Sequence, residues 1–205
     1  MITTVVFDMG GVLADWNADQ ILQEMSIQEA SKPLLKKEVF TAPEWVMVDA
    51  GFITEKEMEE AALKRLPQWA HDDCRFAIAH FIDYSLHPIQ ETLEIVRQLK
   101  KAGYKLYLLS NASTRFSEYK DRFEAFTYMD GLFVSAFHHC YKPDQTMYRT
   151  FFDTYHLDPS QCLFIDDSQA NIAASIMAGM DGILYRGDER ELRQKLIERG
   201  IHIHE

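Results

Sequence analysis

The chain alternates between short apolar runs and longer stretches in which apolar residues recur at helical spacing. Apolar runs at residues 2–7, 104–109, 132–137, 162–165 and 182–185 indicate five buried strands. Strands that alternate with helices predict a parallel sheet with helices on both faces, and such strands are apolar throughout because both of their faces are covered. We therefore predict an α/β fold built on a Rossmann-like parallel sheet.

The helices predicted between these strands have recognisable ends. Pro88 opens the first of them and Gly103 follows its last turn, as expected at the two ends of a helix. The same reasoning gives four helices of the sheet region, at residues 88–102, 144–156, 169–178 and 188–199.

Residues 15–86 follow a different pattern, with amphipathic stretches and no convincing strand. Thr54 and Glu57 have the spacing of a capping box, in which two side chains close the first turn of a helix, here over about residues 55–66. We predict an inserted all-helical cap. The expected division of the chain is a catalytic core at 1–14 and 87–205 and a cap at 15–86.

Three tryptophans, Trp16, Trp45 and Trp69, lie in this insertion. Large aromatic residues most often belong to a core. Trp16 is the exception to watch, because it follows closely on the polar residues that end the first strand.

Composition and charge narrow the range of functions. The net charge of -11 argues against a nucleic-acid partner, since phosphate backbones require a basic surface. The three cysteines are widely spaced and odd in number, which favours a reducing compartment over a disulfide framework. The N-terminal residues lack a basic signal region, and no apolar run has the length of a membrane span. We expect a cytoplasmic protein without membrane or nucleic-acid partners; the sequence indicates no oligomeric state.

Polar residues follow the predicted strands at four places. Asp8 comes directly after the first strand, Ser110 after the second, Lys142 soon after the third, and the pair Asp166 and Asp167 after the fourth. In an open parallel sheet, ligands bind beyond the carboxyl ends of the strands. We therefore expect these side chains to share one crevice.

Three carboxylates in one crevice would repel one another strongly at neutral pH. Asp8, Asp166 and Asp167 therefore need a cation. Oxygen ligands with open coordination positions suit Mg²⁺, which usually takes one or two carboxylates together with water and a substrate phosphate.

The remaining polar residues suit a phosphate ester. Lys142 is available to the phosphate and to a nucleophile, and Ser110 and Asn111 are small donors for phosphoryl oxygens. Gly10 and Gly11 let the backbone approach a ligand closely. The expected partner is a small-molecule phosphate ester.

This arrangement resembles the haloacid dehalogenase superfamily, and within it the phosphatase branch with a helical cap after the first motif. That subgroup includes small sugar-phosphate phosphatases and the phosphatase domain of epoxide hydrolases. The segment at 49–54 is similar to part of its cap. The four matching motifs are residues 7–13, 109–111, 141–144 and 164–168, the last continuing through Asn171 to Gly179 and Met180.

The resemblance implies a role for each residue. Asp8 would be the nucleophile and would carry a phosphoaspartyl intermediate. Mg²⁺ would be held by Asp8, the backbone carbonyl of Gly10 and Asp167, with Asp166 in support. The phosphoryl group would be held by Ser110, Asn111 and Gly11, and Lys142 would neutralise charge between phosphate and nucleophile.

One departure from the family pattern bears on mechanism. Most phosphatases of this superfamily carry a second Asp two residues after the nucleophile, where this chain has Gly10. That Asp is a general acid and base, whose help is typically worth about 10²–10⁴ in rate. Three interpretations stay open. Asp15 substitutes for it, the leaving group is an easy one such as an anomeric or acyl phosphate, or turnover is slow or absent.

The sequence thus predicts a Mg²⁺-dependent phosphatase acting on a small phosphorylated metabolite, with a sugar phosphate as one candidate. The alternative is a catalytically impaired phosphoryl-binding module. A 2-haloacid dehalogenase is less favoured, because that branch needs no metal and does not keep the adjacent pair Asp166 and Asp167.

Overall fold

Five parallel strands form one sheet in the order β3-β2-β1-β4-β5 in the computed structural model, which describes residues 1–203. The strands are β1 (Thr4–Phe7), β2 (Lys105–Ser110), β3 (Gly131–Val134), β4 (Cys162–Asp166) and β5 (Asp181–Leu184). The predicted α/β fold with a parallel sheet is confirmed. Residues 204 and 205, the last two of the predicted core, lie outside the described residues.

Eleven α-helices are found among the described residues. They are α1 (Ala18–Glu24), α2 (Lys32–Leu35), α3 (Pro43–Asp49), α4 (Glu55–Arg65), α5 (His71–His80), α6 (Gln90–Lys101), α7 (Phe116–Tyr119), α8 (Glu124–Thr127), α9 (Gln145–Tyr155), α10 (Gln169–Met177) and α11 (Glu189–Ile197). The longest of them, α6, has 12 residues. None within residues 1–203 is both long enough and apolar enough to cross a bilayer.

The sheet has a separate apolar cluster on each face. Successive strand residues point to opposite faces, so Val5 and Phe7 of β1 belong to one cluster and Val6 to the other. Helices α6 and α11 pack on the first face, and α9 and α10 pack on the second. This double cover explains why all four β1 residues are buried.

The stretch between β1 and α6 is helical, as the sequence predicts. It contains α1 to α5 and, within the described residues, no strand. The predicted capping box at α4 is confirmed: the Glu57 amide donates to Thr54 Oγ1 at 3.2 Å, and the Thr54 amide donates to Glu57 Oε2 at 2.7 Å.

Two chain crossings connect this helical stretch to the sheet, and they lie side by side. Ala14 and Pro88 form an antiparallel bridge. Next to it the Asp15 amide donates to the His87 carbonyl at 3.0 Å, and the His87 amide donates to Asp15 Oδ1 at 2.6 Å. The entry and exit of the insertion are thereby fastened to each other.

The third strand ends earlier than predicted. The apolar pattern predicts a strand over 132–137, but β3 stops at Val134 and Ser135 begins a short helical turn. The Ser135 hydroxyl accepts from the Ala112 amide at 2.9 Å and donates to the Asp49 carbonyl. The side chain that follows β3 therefore joins the loop after β2 to the end of α3, a long-range contact that a local apolar pattern does not contain.

Gly51 packs the loop after α3 against this turn. Its φ of 74° lies in the left-handed region, and a Cβ at this position would collide with the backbone of Ala136. Gly103 has a similar φ of 89°, but a Cβ there would meet nothing within 4 Å.

The substitution Gly51→Ala should therefore destabilise the protein more than Gly103→Ala. In the Gly103 variant the only cost is that of holding an alanine in the left-handed region, roughly 1–2 kcal/mol. The Gly51 variant adds a steric clash at the junction between the helical insertion and the sheet, so its free energy of unfolding in urea should fall by clearly more. Equal losses in the two variants would show that the Gly51 loop is not tightly packed there.

Candidate active site

The predicted polar residues meet at the carboxyl edge of the sheet, where its strand order changes direction. From β1 the chain first proceeds to β2 and β3 on one side, and then to β4 and β5 on the other. Asp8 follows β1, and Asp166 ends the neighbouring β4. A reversal of this kind leaves a crevice between the two central strands, which is the usual ligand site of such sheets.

Lys142 lies between two carboxylates in this crevice. Its Nζ is 2.8 Å from Asp8 Oδ1 and 2.8 Å from Asp166 Oδ2, and the residue is only 1% exposed. Buried charges of this kind require close pairing, because removal from water is expensive. The ammonium therefore stabilises both carboxylates.

Asn111 holds Lys142 in place. Its Oδ1 accepts from the Lys142 amide at 2.8 Å, and its Nδ2 donates to the Lys142 carbonyl at 3.0 Å. The loop after β3 is thereby tied to the end of β2. Asn111 thus positions the backbone of Lys142, a function that the sequence did not predict.

The two carboxylates that pair with Lys142 differ in how many of their oxygens accept hydrogen bonds. Asp166 accepts from the Ser168 amide at 2.7 Å and from Asn171 Nδ2 at 3.0 and 3.1 Å, so both of its oxygens are occupied. Asp8 accepts from the Met9 amide and from Lys142 through Oδ1 alone. Its Oδ2 accepts no hydrogen bond from the described residues, and this is the oxygen available for chemistry.

The charges in the crevice do not balance. Burial raises the pKa of Asp8 to about 7, against the opposing effect of Lys142 and with a further rise from Asp166. Burial and the Asp166 carboxylate also raise the pKa of Asp167. Although burial disfavours the charged form of Lys142, its two carboxylate neighbours raise its pKa. One ammonium among three carboxylates leaves excess negative charge.

These residues fit a hard divalent cation. Asp8, Asp166 and Asp167 each offer a carboxylate oxygen, and these oxygens lie within 4.8 Å of one another. Gly10 lines the same cavity, and its carbonyl accepts no hydrogen bond among residues 1–203. A set of oxygen donors with uncompensated negative charge is the set that Mg²⁺ prefers.

Two of the remaining predicted residues serve the fold at this site. The Gly11 amide donates to the Ala14 carbonyl at 2.8 Å, and its missing side chain leaves space for the Asp167 carboxylate. Ser110 is 1% exposed at the end of β2 and is not among the residues that line the cavity. Contact of either residue with a substrate stays a prediction.

A cavity of about 350 Å³ opens above the carboxylates. The sheet side contributes Asp8, Gly10 and Asp167, and the helical insertion contributes most of the opposite side. A volume of this size is near the small end of the range for ligand sites, roughly 300–1,000 Å³.

Six aromatic residues line this cavity. Tyr119 and Tyr141 lie outside the helical insertion, and the four rings within it, which we call the aromatic cluster, are Trp16, Phe40, Trp45 and Phe81. Sequence reasoning singled out Trp16 but missed both phenylalanines and treated Trp45 as core. Each ring comes from a different segment of the insertion, so no sequence spacing connects them.

The carboxyl groups of Asp49 and Asp15, both in the helical insertion, differ in their relation to the cavity. Asp49, at the end of α3, lines the cavity, and burial raises its pKa to about 7 while a hydrogen bond from the Trp45 side chain opposes the rise. Asp15 is not among the lining residues of the described chain, and its Oδ2 lies 3.0 Å from His87 Nδ1. Asp15 is therefore part of the connection to the insertion, and its location does not favour the suggestion that it replaces the missing acid.

Comparisons with known proteins agree with this geometry. The sesquiterpene phosphatase astK of Aspergillus oryzae is 24% identical over 181 residues, covering 87% of this chain and 87% of that protein. A HAD family enzyme from Bacteroides thetaiotaomicron, solved with magnesium and inorganic phosphate, has a TM-score of 0.69 at 18% identity and covers 92% of this chain and 96% of its own.

A dehalogenase has a similar fold. The L-2-haloacid dehalogenase of Xanthobacter autotrophicus, solved with chloropropionic acid covalently bound, has a TM-score of 0.64 at 16% identity, covering 98% of this chain and 85% of its own. At such identities the two structural similarities show the fold alone. Residues 2–179 match the family of haloacid dehalogenase-like hydrolases. Because that match spans most of the chain, this protein belongs to the haloacid dehalogenase-like hydrolase family.

Proposed function

We propose that this hydrolase is a Mg²⁺-dependent phosphatase that cleaves a small phosphorylated metabolite through a phosphoaspartyl intermediate on Asp8. One observation carries the proposal. Asp8 lines the cavity and has one oxygen fixed by Lys142 and the Met9 amide, while its other oxygen has no hydrogen-bond partner among the described residues. A carboxylate held in this way is oriented for attack on phosphorus.

In the first step Asp8 Oδ2 forms a bond to phosphorus, and the bond from phosphorus to the leaving oxygen breaks. The electron pair stays on the leaving group, and the phosphoryl group stays on Asp8. Water then attacks phosphorus, which releases inorganic phosphate and restores the carboxylate. Throughout, Lys142 holds Asp8 and offsets the negative charge that gathers at the phosphoryl oxygens.

The metal would be held by Asp8, Asp167 and the Gly10 carbonyl, with Asp166 supporting the site through Lys142 and the neighbouring loop. When bound, Mg²⁺ would neutralise phosphoryl charge and fix the phosphate opposite the nucleophile. The uncompensated charge in the crevice supports this assignment. The phosphatase name of the relative from Aspergillus supports the choice of phosphate ester.

The same proposal divides the chain into a catalytic core at 1–14 and 87–205 and a cap at 15–86. The contact between Asp15 and His87 at the two chain crossings supports these boundaries. Each unit contributes one side of the cavity, so a substrate would be enclosed between them.

A second candidate rests on Gly10. Without a side-chain acid beside the nucleophile, the protein would bind phosphoryl groups and turn them over too slowly to matter. Retention of the Asp8 and Lys142 pair favours the enzyme, because a buried charged pair is costly to keep for binding alone.

Phosphate release from acetyl phosphate, a mixed anhydride with an easy leaving group, should require both Mg²⁺ and Asp8. The substitution Asp8→Asn removes the nucleophile, so turnover should fall by about 10⁴-fold or more. A chelator should abolish release from the unmodified protein. Inorganic phosphate is the quantity to measure in both cases.

Asp15→Asn is the matched control for this prediction, since Asp15 lies outside the cavity lining. Its turnover of acetyl phosphate and of an alkyl phosphate should both stay within about tenfold of the unmodified protein, whereas loss of a general acid would slow cleavage of the alkyl phosphate by more. Unchanged turnover in the Asp8→Asn variant, or halide release from a 2-haloacid without metal, would contradict the proposal.

Removal of the Lys142 charge should impair both catalysis and folding. In Lys142→Met the carboxylates of Asp8 and Asp166 lose their cation, so the free energy of unfolding should drop by about 3–5 kcal/mol. Turnover should decrease by roughly 10³-fold, because the charge on the transferring phosphoryl group is no longer offset.

Lys32→Met is the control, since Lys32 is also buried but pairs with Glu29 in the helical insertion. Its turnover should remain close to that of the unmodified protein. Comparable losses of turnover in both variants, after correction for the folded fraction, would show that Lys142 has no special role in catalysis.

A further inference from the structure

The aromatic cluster is a continuous surface. Trp16 and Trp45 have ring centroids 5.4 Å apart, and Phe81 lies 5.9 Å from Trp16 and 5.1 Å from Trp45. Phe40 lies 5.1 Å from Trp45 and is 7% exposed, and Phe81 is 6% exposed. The two phenylalanines therefore pack behind the indoles, while the partly exposed indoles of Trp16 and Trp45 supply the surface that a ligand would touch.

Trp16 also lies next to Gly10, the position at which most phosphatases of this superfamily carry the general acid. A Cβ built on Gly10 would lie 3.5 Å from Trp16 Cβ and 3.9 Å from Trp16 Cγ, in ordinary van der Waals contact. Any longer side chain at position 10 would extend next to the indole. Position 10 thus has the Trp16 side chain as a neighbour and carries no side-chain acid.

The cavity contains no cationic side chain. Among its lining residues in the described chain there is no Lys, Arg or His, and Asp49 adds a carboxyl group on the cap side. A second phosphate or a carboxylate on the substrate would have no cationic partner there and would meet the Asp49 carboxyl group. The organic part of the substrate should therefore carry no additional negative charge.

We propose that the cavity selects phosphate monoesters of aromatic hydroxyl compounds, with the ring stacked against Trp16 and Trp45 and without a second anionic group. This substrate class rests on the proposed phosphatase function and narrows it. It differs from the sugar phosphates suggested by the sequence resemblance, whose rings lack the aromatic face that pairs with an indole in an offset-stacked or edge-to-face arrangement.

The chemistry of the leaving group agrees with the shape of the cavity. When Asp8 Oδ2 bonds to phosphorus, the bond from phosphorus to the aryl oxygen breaks, its electron pair stays on a phenolate, and water supplies the proton afterwards. A phenol with a pKa near 10 leaves far more readily than an alkyl alcohol, which needs the acid that Gly10 does not provide. One class of ester thus accounts for both the missing acid and the aromatic cluster.

Binding of non-hydrolysable analogues separates ring recognition from leaving-group chemistry. Phenylphosphonate should bind the Mg²⁺-loaded protein at least about tenfold more tightly than methylphosphonate, because contact with each indole is worth roughly 0.5–1.5 kcal/mol. A carboxylate on the phenyl ring should cancel most of this gain. Titration calorimetry measures all three affinities.

Trp16→Ala and Trp45→Ala should each reduce the preference for phenylphosphonate over methylphosphonate by several-fold to about tenfold. Trp16→Leu serves the same purpose if the alanine variant does not fold. Trp69→Ala is the matched control, since Trp69 is 49% exposed on the insertion and away from the cavity lining, and it should leave the preference unchanged.

Turnover provides the second test. The value of kcat/KM for phenyl phosphate should exceed the values for benzyl phosphate and for glucose 6-phosphate by about 10²-fold or more, because both of these leave as alkoxides. Equal binding of the two phosphonates, an unchanged preference in both tryptophan variants, or faster turnover of the sugar phosphate would overturn the substrate class. If acetyl phosphate is still hydrolysed with Mg²⁺ and Asp8 in those cases, the proposed phosphatase function survives; if no ester is hydrolysed, that function fails as well.

Discussion

The Lys142 ammonium, buried between the carboxylates of Asp8 and Asp166, is the interaction on which the site depends. Two carboxylates cannot be buried side by side without a cation, so the neighbouring ends of β1 and β4 become compatible only when the loop after β3 delivers Lys142. Asn111, at the end of β2, fixes the backbone of that loop. Four of the five strands therefore contribute to one charge arrangement, and the parallel sheet is what brings their carboxyl ends together.

The helical insertion performs a different task from the sheet. The sheet supplies charge and the oxygen donors for a cation, whereas the insertion supplies apolar rings and one additional carboxyl group, Asp49. The two meet where Gly10 lies next to Trp16. Under the proposed function, reactivity and selectivity would come from separate parts of the chain that share one cavity.

The sequence predicts the parts of this arrangement that depend on short spacings. Apolar runs give the strands, polar residues that follow them give the site, and Thr54 with Glu57 gives the capping box. The aromatic cluster could not be predicted, because its rings come from four segments that meet only after the insertion packs. The early end of β3 could not be predicted for the same reason, because it depends on contacts of Ser135 with the loop after β2 and with the end of α3. The pairing of Asp15 with His87 likewise joins residues that are distant in the sequence.

Trapping of the covalent intermediate tests the central claim most directly. The protein would be mixed with Mg²⁺ and excess phenyl phosphate, quenched within the first turnover and treated with borohydride, which reduces an acyl phosphate to the alcohol. The account predicts that peptide mapping finds homoserine in place of aspartate at Asp8, and at no other aspartate. Phosphate release without any modification at Asp8 would contradict it, because water would then attack the ester directly.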